Sequence, residues 1–600
     1  ALPWYQVAEG WFDTKFPKGQ SHHTDVPTPH AYSGSDAPPA KALAVSASAS
    51  LASGDPNHHL QIGYGEDFEE VFDLSYYGYR LHQVNFDIPA EELGATTRVT
   101  HRSVDDLDVA TDWHAVNRVE IDYARDLDFS DVDQLTFTIY NSGLESATYV
   151  EIQNYPYDNP RLHIRSGVYV EEIAVTVEGN TIKAIVPFSS SFADVTVHLH
   201  SESQIIPVEG LEKVNSTGFF VDYESMDLDS AFLLITHPSL INASDNYTFY
   251  RESMGMDVLL VDIEELYQQY AAGIWKNPLA IRRFCDHLLQ SWESPPSHLF
   301  LVGKSIHGMD VSGTSGARND PEKYAQNLVP AWGWPTSDLP MTVGLGDTFT
   351  EAAIPTGRLA AKNQEEVLKY LNKVVEFEAQ PAAEWMKNVM HFGGGGTENE
   401  QELFRYYLGQ YEDIVEDTCF GGFTHSFYKT STDPIQFNLS DSIDDLIGNG
   451  VSLMTFFGHA SSTGFDQNID SPSSYDNAGK YPLLIGNSCY TGNIHLASSQ
   501  STSEEFVLAD QRGVIGFLAK PDLGVPAYLN MYTLNFYKQI FQKGYGQSVG
   551  QSMQGAVRDF QLDLDDLYRV NTALTFSLHG DPAITLNPQP HPDFVLDPQR

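Results

Sequence analysis

The sequence predicts an α/β protein with a doubly wound parallel sheet, preceded by an antiparallel β-sandwich. From residue 228 onward, continuous apolar runs such as 299–302 alternate with amphipathic segments such as 278–291. This rhythm is typical of repeated βα units whose sheet is covered on both faces. Residues 56 to about 210 instead carry short segments of alternating polarity, such as 119–123, separated by turn residues. That pattern is typical of an antiparallel sandwich.

The first 55 residues predict an extended arm or linker. They are rich in proline, serine and alanine, a composition that suits an extended chain better than a packed domain. The β-sandwich-like domain is assigned to 56–215. Within it, His198 and His200 lie two residues apart on a strand, but no third ligand is evident, so we expect ordinary sheet residues rather than a metal site.

The α/β region is expected to form two subdomains. Subdomain A spans 228–380 and ends with an amphipathic helix, and subdomain B spans 385–590, with a C-terminal tail at 591–600. A glycine run at 393–396 lies between a strand and a helix of subdomain B. It lacks the Lys-Ser/Thr ending of a phosphate loop, so we expect a flexible turn near the active-site edge rather than a nucleotide site.

Two apolar runs in subdomain B end close to reactive side chains. The run at 451–457 leads to His459, and the run at 481–485 leads to Cys489. Sites in such sheets form beyond the carboxyl ends of the strands, so we expect the two residues to meet there. An imidazole near a thiol can take its proton and so produce the attacking thiolate. The alternative is structural: a buried thiol and a capping histidine.

At these residues the sequence resembles the gingipain-type cysteine peptidases, relatives of the caspases. That family carries Gly-His-Gly after one strand and Cys-x-x-Gly after the next, and the matching segments here are Gly458-His459-Ala460 and Cys489-Tyr490-Thr491-Gly492. The resemblance extends from about 228 to about 590. It includes further segments at 233–236, 255–258, 280–284, 299–303, 337–338, 355–359 and 579–583.

The resemblance implies a caspase-like fold and a cysteine endopeptidase. Cys489 would be the nucleophile and His459 its partner, and the backbone amides of Ala460 and Cys489 would stabilise an oxyanion. Ala460 replaces the family's glycine and loses easy access to positive φ. This replacement motivates an alternative function, a catalytically inactive, peptidase-like binding or structural protein of the bacterial surface.

Three acidic residues are candidates for supporting roles. Glu322 and Asp466 are candidates to orient the histidine. Asp338 matches a position where relatives line the primary specificity pocket. A buried and uncompensated carboxylate there would favour a substrate Lys or Arg. Two alternatives stay open: Asp338 forms a turn, or Lys520 pairs with it.

Composition restricts the partners. With 34 basic and 81 acidic residues the formal charge is −47, which excludes nucleic acid as an expected partner. No run of 18 apolar residues exists, so no transmembrane segment is predicted. The expected partner is a protein or peptide substrate. Cys285 and Cys419 are expected to be buried thiols, with one disulfide between them as the alternative.

The resemblance also carries expectations about location and cofactors. It implies a protein that is secreted or at the bacterial cell surface. One branch of the family is the sortase of type IX secretion, which would add outer-membrane secretion components as partners. No cofactor is required and no set of metal ligands is recognised. Structural calcium is compatible with acidic clusters such as 563–566, although none matches an EF-hand loop.

Overall fold

The structure is a computed structural model. It describes residues 12–141, 145–166, 169–188, 194–226, 228–308, 317, 320–432, 440–467, 469, 471–497, 500–560 and 566–586. The chain divides into two compact units between Ser216 and Thr217. Residues 1–11 of the predicted arm, the acidic residues 563–565 and the predicted tail 591–600 lie outside the described residues.

The N-terminal unit begins with a pair of four-stranded antiparallel sheets. Their strands are β1 (Phe16–Pro17), β2 (Ser21–Pro27), β3 (Ala40–Ser48), β4 (His58–Tyr64), β5 (Glu69–Tyr76), β6 (Leu81–Ile88), β7 (Thr96–Ser103) and β8 (Trp113–Asp122). The spatial orders are β1-β8-β3-β6 and β2-β7-β4-β5. Side chains of both sheets share one core that includes Ala44, Leu60 and Val99.

The prediction of an extended arm is therefore wrong for residues 16–48. Strand β3 lies between β8 and β6, and it buries Ala40, Ala42 and Ala44. A composition rich in proline, serine and alanine predicts a linker, but it does not exclude a strand. Here the small size of alanine and serine suits a strand whose alanines pack closely in the sandwich interior.

A second pair of antiparallel sheets follows in the same unit. Its strands are β9 (Gln134–Ile139), β10 (Ala147–Ile152), β11 (Pro160–Ser166), β12 (Tyr169–Ile173), β13 (Val175–Glu178), β14 (Thr181–Pro187) and β15 (Val195–Ser201). The orders are β10-β14-β13 and β12-β11-β15-β9. A core that includes Ile152, Leu162 and Val197 joins them. The N-terminal unit thus holds two sandwiches, not the single one predicted.

The C-terminal unit contains twelve further strands in its described part. They are β16 (Phe232–Thr236), β17 (Val258–Asp262), β18 (His298–Val302), β19 (Thr356–Leu359), β20 (Asn388–Gly393), β21 (Phe423–Tyr428), β22 (Leu453–Phe457), β23 (Ala460–Ser461), β24 (Gly464–Phe465), β25 (Leu483–Asn487), β26 (Gly516–Ala519) and β27 (Ser577–His579).

Helices connect these strands. They are α1 (Ile241–Ser253), α2 (Ile263–Tyr270), α3 (Leu279–Ser291), α4 (Pro321–Gln326), α5 (Gln364–Glu378), α6 (Glu398–Val415), α7 (Ser440–Asn449), α8 (Thr502–Val507), α9 (Pro526–Lys538), α10 (Val549–Asp559) and α11 (Leu567–Thr575). Among the described residues, no helix combines the length and the apolar character needed to cross a membrane.

Ten of these strands form one sheet, in the order β17-β16-β18-β19-β27-β26-β25-β22-β20-β21. Both predicted subdomains contribute to it. The expectation of an all-parallel sheet is wrong, because β27 runs parallel to β19 but antiparallel to β26. The sheet is therefore mixed.

The sheet is buried on both faces, as the continuous apolar runs predicted. In β16, Phe232 and Leu234 belong to one core, whereas Leu233 and Ile235 belong to the other. Successive side chains of a strand point to opposite faces, so a fully apolar strand supplies both cores. Apart from the partly exposed edge strand β21, a sheet covered in this way offers polar side chains to solvent at its strand ends.

Candidate active site

His459 and Cys489 follow two neighbouring parallel strands. Strands β22 and β25 are paired in register, with Phe457 opposite Asn487. His459 and Cys489 each come two residues after this pair, so both backbones leave the sheet at the same edge. Neighbouring strands lie about 4.7–4.9 Å apart. No hydrogen bond joins the two side chains among the described residues; each has other partners.

The imidazole of His459 is accessible and contacts a carboxylate. Its side chain is 54% exposed, and Nε2 lies 3.2 Å from Oε1 of Glu400, whose side chain is 36% exposed. The ring of Phe404 lies edge-on to the imidazole, with centroids 6.2 Å apart. Glu400 is therefore the carboxylate that contacts the imidazole, whereas the sequence predicted Glu322 and Asp466 as candidates to orient it.

Glu400 is fixed by the start of helix α6. Its Oε2 accepts hydrogen bonds from the amides of Gly396 and Thr397, each at 3.0 Å, while Thr397 Oγ1 accepts one from the amide of Glu400. This reciprocal arrangement is a capping box. Partial burial raises the pKa of Glu400, but the hydrogen bonds from His459 and from this turn outweigh it, so the pKa lies below its ordinary value.

Asp466 has a different role from the one predicted. Its Oδ2 accepts a hydrogen bond from the amide of Gly395 at 2.9 Å and lies 3.4 Å from Nζ of Lys429. Its own amide donates to the carbonyl of His459 at 2.8 Å. Asp466 thus links the backbone of His459 to the glycine run and makes no hydrogen bond with the imidazole.

The glycine run is a close-packed turn, not the flexible turn that was expected. A Cβ at Gly394 would lie 2.1 Å from Oδ1 of Asp466, and Gly395 has φ +123°. Both positions therefore require glycine. The turn carries the chain from β20 into α6 and so places Glu400.

Glu322, the other predicted orienting residue, lies on the short helix α4. It is exposed, and its amide donates to Oδ1 of Asp320 as part of the helix cap. Its carboxylate makes no hydrogen bond with His459 among the described residues, since that contact belongs to Glu400. The structure therefore contradicts an orienting role for Glu322.

Cys489 is half-buried, and its sulfur contacts the segment after β26. The amide of Gly524 donates to Sγ at 3.4 Å, and Sγ lies 3.9 Å from the carbonyl of the same residue. Tyr490, the next residue, has φ +62° and donates its amide to the carbonyl of Asp522 at 3.0 Å. A non-glycine residue in this region marks a sharp turn of the kind that is concentrated at functional sites.

Ala460, which replaces the family's glycine, does not need the positive φ that a glycine could adopt. Ala460 is absent from the positive-φ residues of the described chain. It pairs with Phe465 in the two-stranded ladder of β23 and β24, next to the bond from Asp466 to His459. Hydrogen-bonded and non-hydrogen-bonded pairs alternate along an antiparallel ladder. Because His459 and Asp466 form a hydrogen-bonded pair, the next pair, Ala460 and Phe465, is not hydrogen-bonded. The amide of Ala460 is thus left out of the ladder.

Asp338 is fully compensated, so it is not the uncompensated pocket base that the sequence analysis considered. Its two carboxylate oxygens accept hydrogen bonds from Arg358 Nε at 2.8 Å and Nη2 at 2.7 Å. Both residues are buried. The remaining guanidinium hydrogens bind the carbonyls of Gly303, Val329 and Pro330. No charge is left for a substrate side chain.

Lys520 also has a partner other than the one considered. Its Nζ lies 3.2 Å from Oδ1 of Asp522 and donates to Oδ1 of Asn571. Burial lowers the pKa of Lys520 and raises the pKa of Asp522, while their mutual attraction opposes both shifts. The pair lies on the segment that contacts Cys489, so it supports the loop rather than neutralising Asp338.

The three cysteines are free thiols. Cys285 is buried, as expected, and burial raises its pKa to about 12. The expectation of a second buried thiol is wrong, because Cys419 is exposed.

Glu400 was not predicted from the sequence, although the sequence contains a signal for its position. Thr397 and Glu400 form the pattern Thr-x-x-Glu directly after the glycine run, which is the sequence signature of a capping box. That signature would have placed Glu400 at the first turn of a helix, at the same edge as the strand ends. The distance to His459 still depends on the pairing of β20 with β22.

A family model matches this unit. The model of Peptidase family C25 covers residues 226–587, more than half of the chain. The chain belongs to this family. The family resemblance stated from the sequence is thereby confirmed, and membership in C25 supports a cysteine peptidase, a hydrolase. A search of curated proteins finds no match.

Two solved structures are similar to the C25 chain at low identity. The Arg-specific cysteine proteinase gingipain R (RGPB) is 13% identical, with 61% of this chain and 79% of that chain covered and a TM-score of 0.46. Dimeric latent PorU from Porphyromonas gingivalis is 13% identical, with 63% and 39% covered and a TM-score of 0.41. The chain thus spans about two fifths of PorU.

Proposed function

We propose that this C25 peptidase is a cysteine endopeptidase in which Cys489 is the nucleophile and His459 the general acid and base. The observation that carries the proposal is the register of β22 and β25. It brings the two residues to the same edge of the sheet, with Glu400 hydrogen-bonded to the imidazole. A nucleophile, a base and a group that orients the base are the three parts that such chemistry needs.

The reaction follows the ordinary course for a thiol peptidase. His459 takes the proton of Cys489, and the thiolate attacks the carbonyl carbon of the scissile bond. The tetrahedral intermediate expels the amine, which receives the proton from His459, and leaves a thioester on Cys489. Water, deprotonated by His459, then attacks the thioester carbon. The C–S bond breaks, the acid product is released, and Cys489 takes the proton back from His459. Glu400 holds the imidazole in place and stabilises its charged form.

The oxyanion is assigned to the amides of Ala460 and Cys489. The ladder geometry that leaves the amide of Ala460 unpaired supports the first. The amide of Tyr490 is not a candidate, because it is already bonded to Asp522. An alanine supplies the same N–H as a glycine, so its presence at 460 is compatible with activity.

Family membership supports a proposal about substrate and location. We propose a protein or peptide substrate and action as a secreted or cell-surface bacterial enzyme. A sortase of type IX secretion is the more specific version, in which an amine rather than water accepts the acyl group from Cys489. Adding a nucleophilic amine during peptide cleavage separates the two, because only the transferase yields amine-linked product as the main species.

Replacement of the nucleophile tests the proposal. Cys489→Ala should abolish peptide cleavage, because the covalent route is lost, and should leave the unfolding transition within about 1 kcal/mol of the wild type. The matched control is Cys419→Ala, which removes the exposed thiol and should keep full activity. Peptide cleavage by Cys489→Ala at the wild-type rate would contradict the proposal.

The same experiment decides between enzyme and scaffold. A wild-type protein that cleaves no peptide and no protein substrate, while it retains its fold, would favour the inactive peptidase-like binding protein. One observation favours the inactive binding protein: the side chains of Cys489 and His459 share no hydrogen bond in this structure. In many peptidases that bond tightens only when substrate is bound.

A further inference from the structure

A second constellation of reactive side chains lies inside the first sandwich of the N-terminal unit. His58 begins β4, His114 lies at the start of β8, and Asp112 directly precedes β8. All three are fully buried. One donor atom from each lies within 4.8 Å of the other two. The proposed peptidase chemistry uses none of them.

The donor atoms of both histidines converge on one oxygen of Asp112. Oδ1 of Asp112 lies 2.6 Å from Nδ1 of His58 and 2.8 Å from Nε2 of His114. The second contact lacks hydrogen-bond geometry, so Nε2 of His114 is a buried nitrogen that lies close to the shared oxygen but has no hydrogen-bond partner. An unpartnered nitrogen in such a place is costly unless another group binds it.

The opposite nitrogen of His58 fixes which atom faces the cluster. Nε2 of His58 lies 2.9 Å from the carbonyl of Ser50. A carbonyl and a carboxylate both only accept, so without an ion both ring nitrogens carry hydrogens, Nε2 donating to Ser50 and Nδ1 to Asp112. An ion would replace the hydrogen on Nδ1, while Nε2 would keep its bond to Ser50. A metal ligand histidine has this arrangement, with its second nitrogen donating to a carbonyl.

The other two residues are supported in the same way. Oδ2 of Asp112 accepts a hydrogen bond from the amide of His59 at 2.9 Å, which leaves Oδ1 for the cluster. Nδ1 of His114 lies 3.4 Å from the hydroxyl of Tyr76. Each candidate ligand thus has a second contact that orients it.

We propose that His58, Asp112 and His114 form a binding site for a divalent transition-metal ion, with zinc the best fit. Two imidazoles and one carboxylate are ligands that zinc accepts, and the fourth tetrahedral position would hold water. Donors around zinc lie about 3.3 Å apart for bonds of about 2.0–2.1 Å. The donors would therefore separate by roughly half an ångström on binding.

The ion would connect the two sheets of this sandwich. Strand β4 belongs to the sheet β2-β7-β4-β5, and β8 belongs to β1-β8-β3-β6. A bond from each histidine to one ion is a cross-link between the two sheets. The proposed role is structural, and stability gained on binding is the expected consequence.

Metal analysis of the full chain tests the proposal. The chain is dialysed against a weak chelator, loaded with Zn²⁺ and freed of excess ion, and its zinc content is measured. Wild type should retain about one zinc per chain, whereas Asp112→Asn and His114→Gln should each retain about a tenth or less. The matched control is His59→Gln. His59 neighbours His58, but its two ring nitrogens face separate carboxylates, Asp106 and Asp73, so it should keep the zinc.

A spectroscopic measurement on the wild type keeps the test independent of variant folding. Co²⁺ replaces Zn²⁺ in such sites, and a tetrahedral Co²⁺ site absorbs strongly in the visible region. One equivalent of Co²⁺ should produce this band, Zn²⁺ should remove it, and Zn²⁺ should raise the thermal midpoint. Wild type that binds neither ion, or variants at Asp112 and His114 that keep the same zinc and cobalt content, would overturn the proposal. Peptidase activity does not enter either readout.

Discussion

Two groups of polar residues in the C-terminal unit differ in how their hydrogen bonds are satisfied. The buried ion-pair cluster, defined as Asp338, Arg358, Lys304 and Glu504, is almost fully removed from solvent. At the candidate active site, His459 is 54% exposed and Cys489 is half-buried. Polar groups in the first set satisfy one another, whereas those in the second retain capacity for a substrate.

This difference in burial explains which of the predicted site residues stay available for a functional role. A buried charge is tolerated only when it is paired, and the two carboxylates of the cluster are each paired with a cation. Burial lowers the pKa of Lys304 to about 8, although Glu504, with Oε1 2.6 Å from Nζ, opposes the shift. Such residues hold the fold together. The exposed set is the one to which we assign the proposed catalysis.

Breaking the buried cluster should produce the largest loss of stability. Arg358→Met leaves the carboxylate of Asp338 buried without a cation, so the free energy of unfolding should fall by about 3–5 kcal/mol. Denaturant titration of the full chain measures it. Lys369→Met removes an exposed pair with Glu365 and should cost no more than about 0.5 kcal/mol. Equal effects from both variants would remove the distinction between the two groups.

Removing the orienting carboxylate should reduce the rate without affecting the fold. Glu400→Gln keeps a side chain that suits a capping box but loses the charge beside His459. We expect kcat to fall about 10- to 100-fold, less than the roughly 10⁴-fold loss seen when a buried triad aspartate becomes an amide, because Glu400 is partly exposed.

The readout for Glu400 is steady-state cleavage of one peptide. KM should stay close to the wild-type value, because Glu400 acts on the base and not on substrate binding. Glu402→Gln, an exposed residue of the same helix, is the control and should match the wild type. An unchanged kcat in Glu400→Gln would show that the contact with His459 is incidental.

The smallest effect is expected at the position that departs from the family motif. Ala460→Gly restores the family's glycine, but the backbone here does not use positive φ. Cleavage should change by no more than about threefold and stability should fall by about 0.5–1 kcal/mol, the ordinary cost of glycine in a strand. A tenfold gain in kcat/KM would show that the turn needs glycine and that the oxyanion site is impaired by alanine.

The sequence was most informative where one local pattern decides the structure. Continuous apolar runs before His459 and Cys489 predicted two buried strands, and parallel pairing of those strands is what the structure has. It was least informative for β27, which has only three residues and reverses direction relative to β26. So short a segment carries no periodicity, and its direction is decided by packing between distant parts of the chain.

The errors about single residues have a common cause. Asp338 appeared to be available because its partner, Arg358, lies 20 residues further along, in a strand that is otherwise small or apolar. A charged residue inside such a strand is itself a sign that a counter-charge exists nearby. Identifying which carboxylate supplies it requires the three-dimensional arrangement, as does choosing Glu400 over Asp466.

The most direct test of the proposed Cys489–His459 pair is selective labelling of one thiol. A peptide carrying a chloromethyl ketone alkylates an activated nucleophile, and intact-mass and peptide mapping identify the site. Wild type should gain one label, at Cys489, at least 100 times faster than the exposed Cys419 reacts, and His459→Ala should lose this preference while it stays folded. Labelling of Cys419 and Cys489 at similar rates, or a rate at Cys489 unchanged in His459→Ala, would contradict the assignment of a Cys489–His459 catalytic pair.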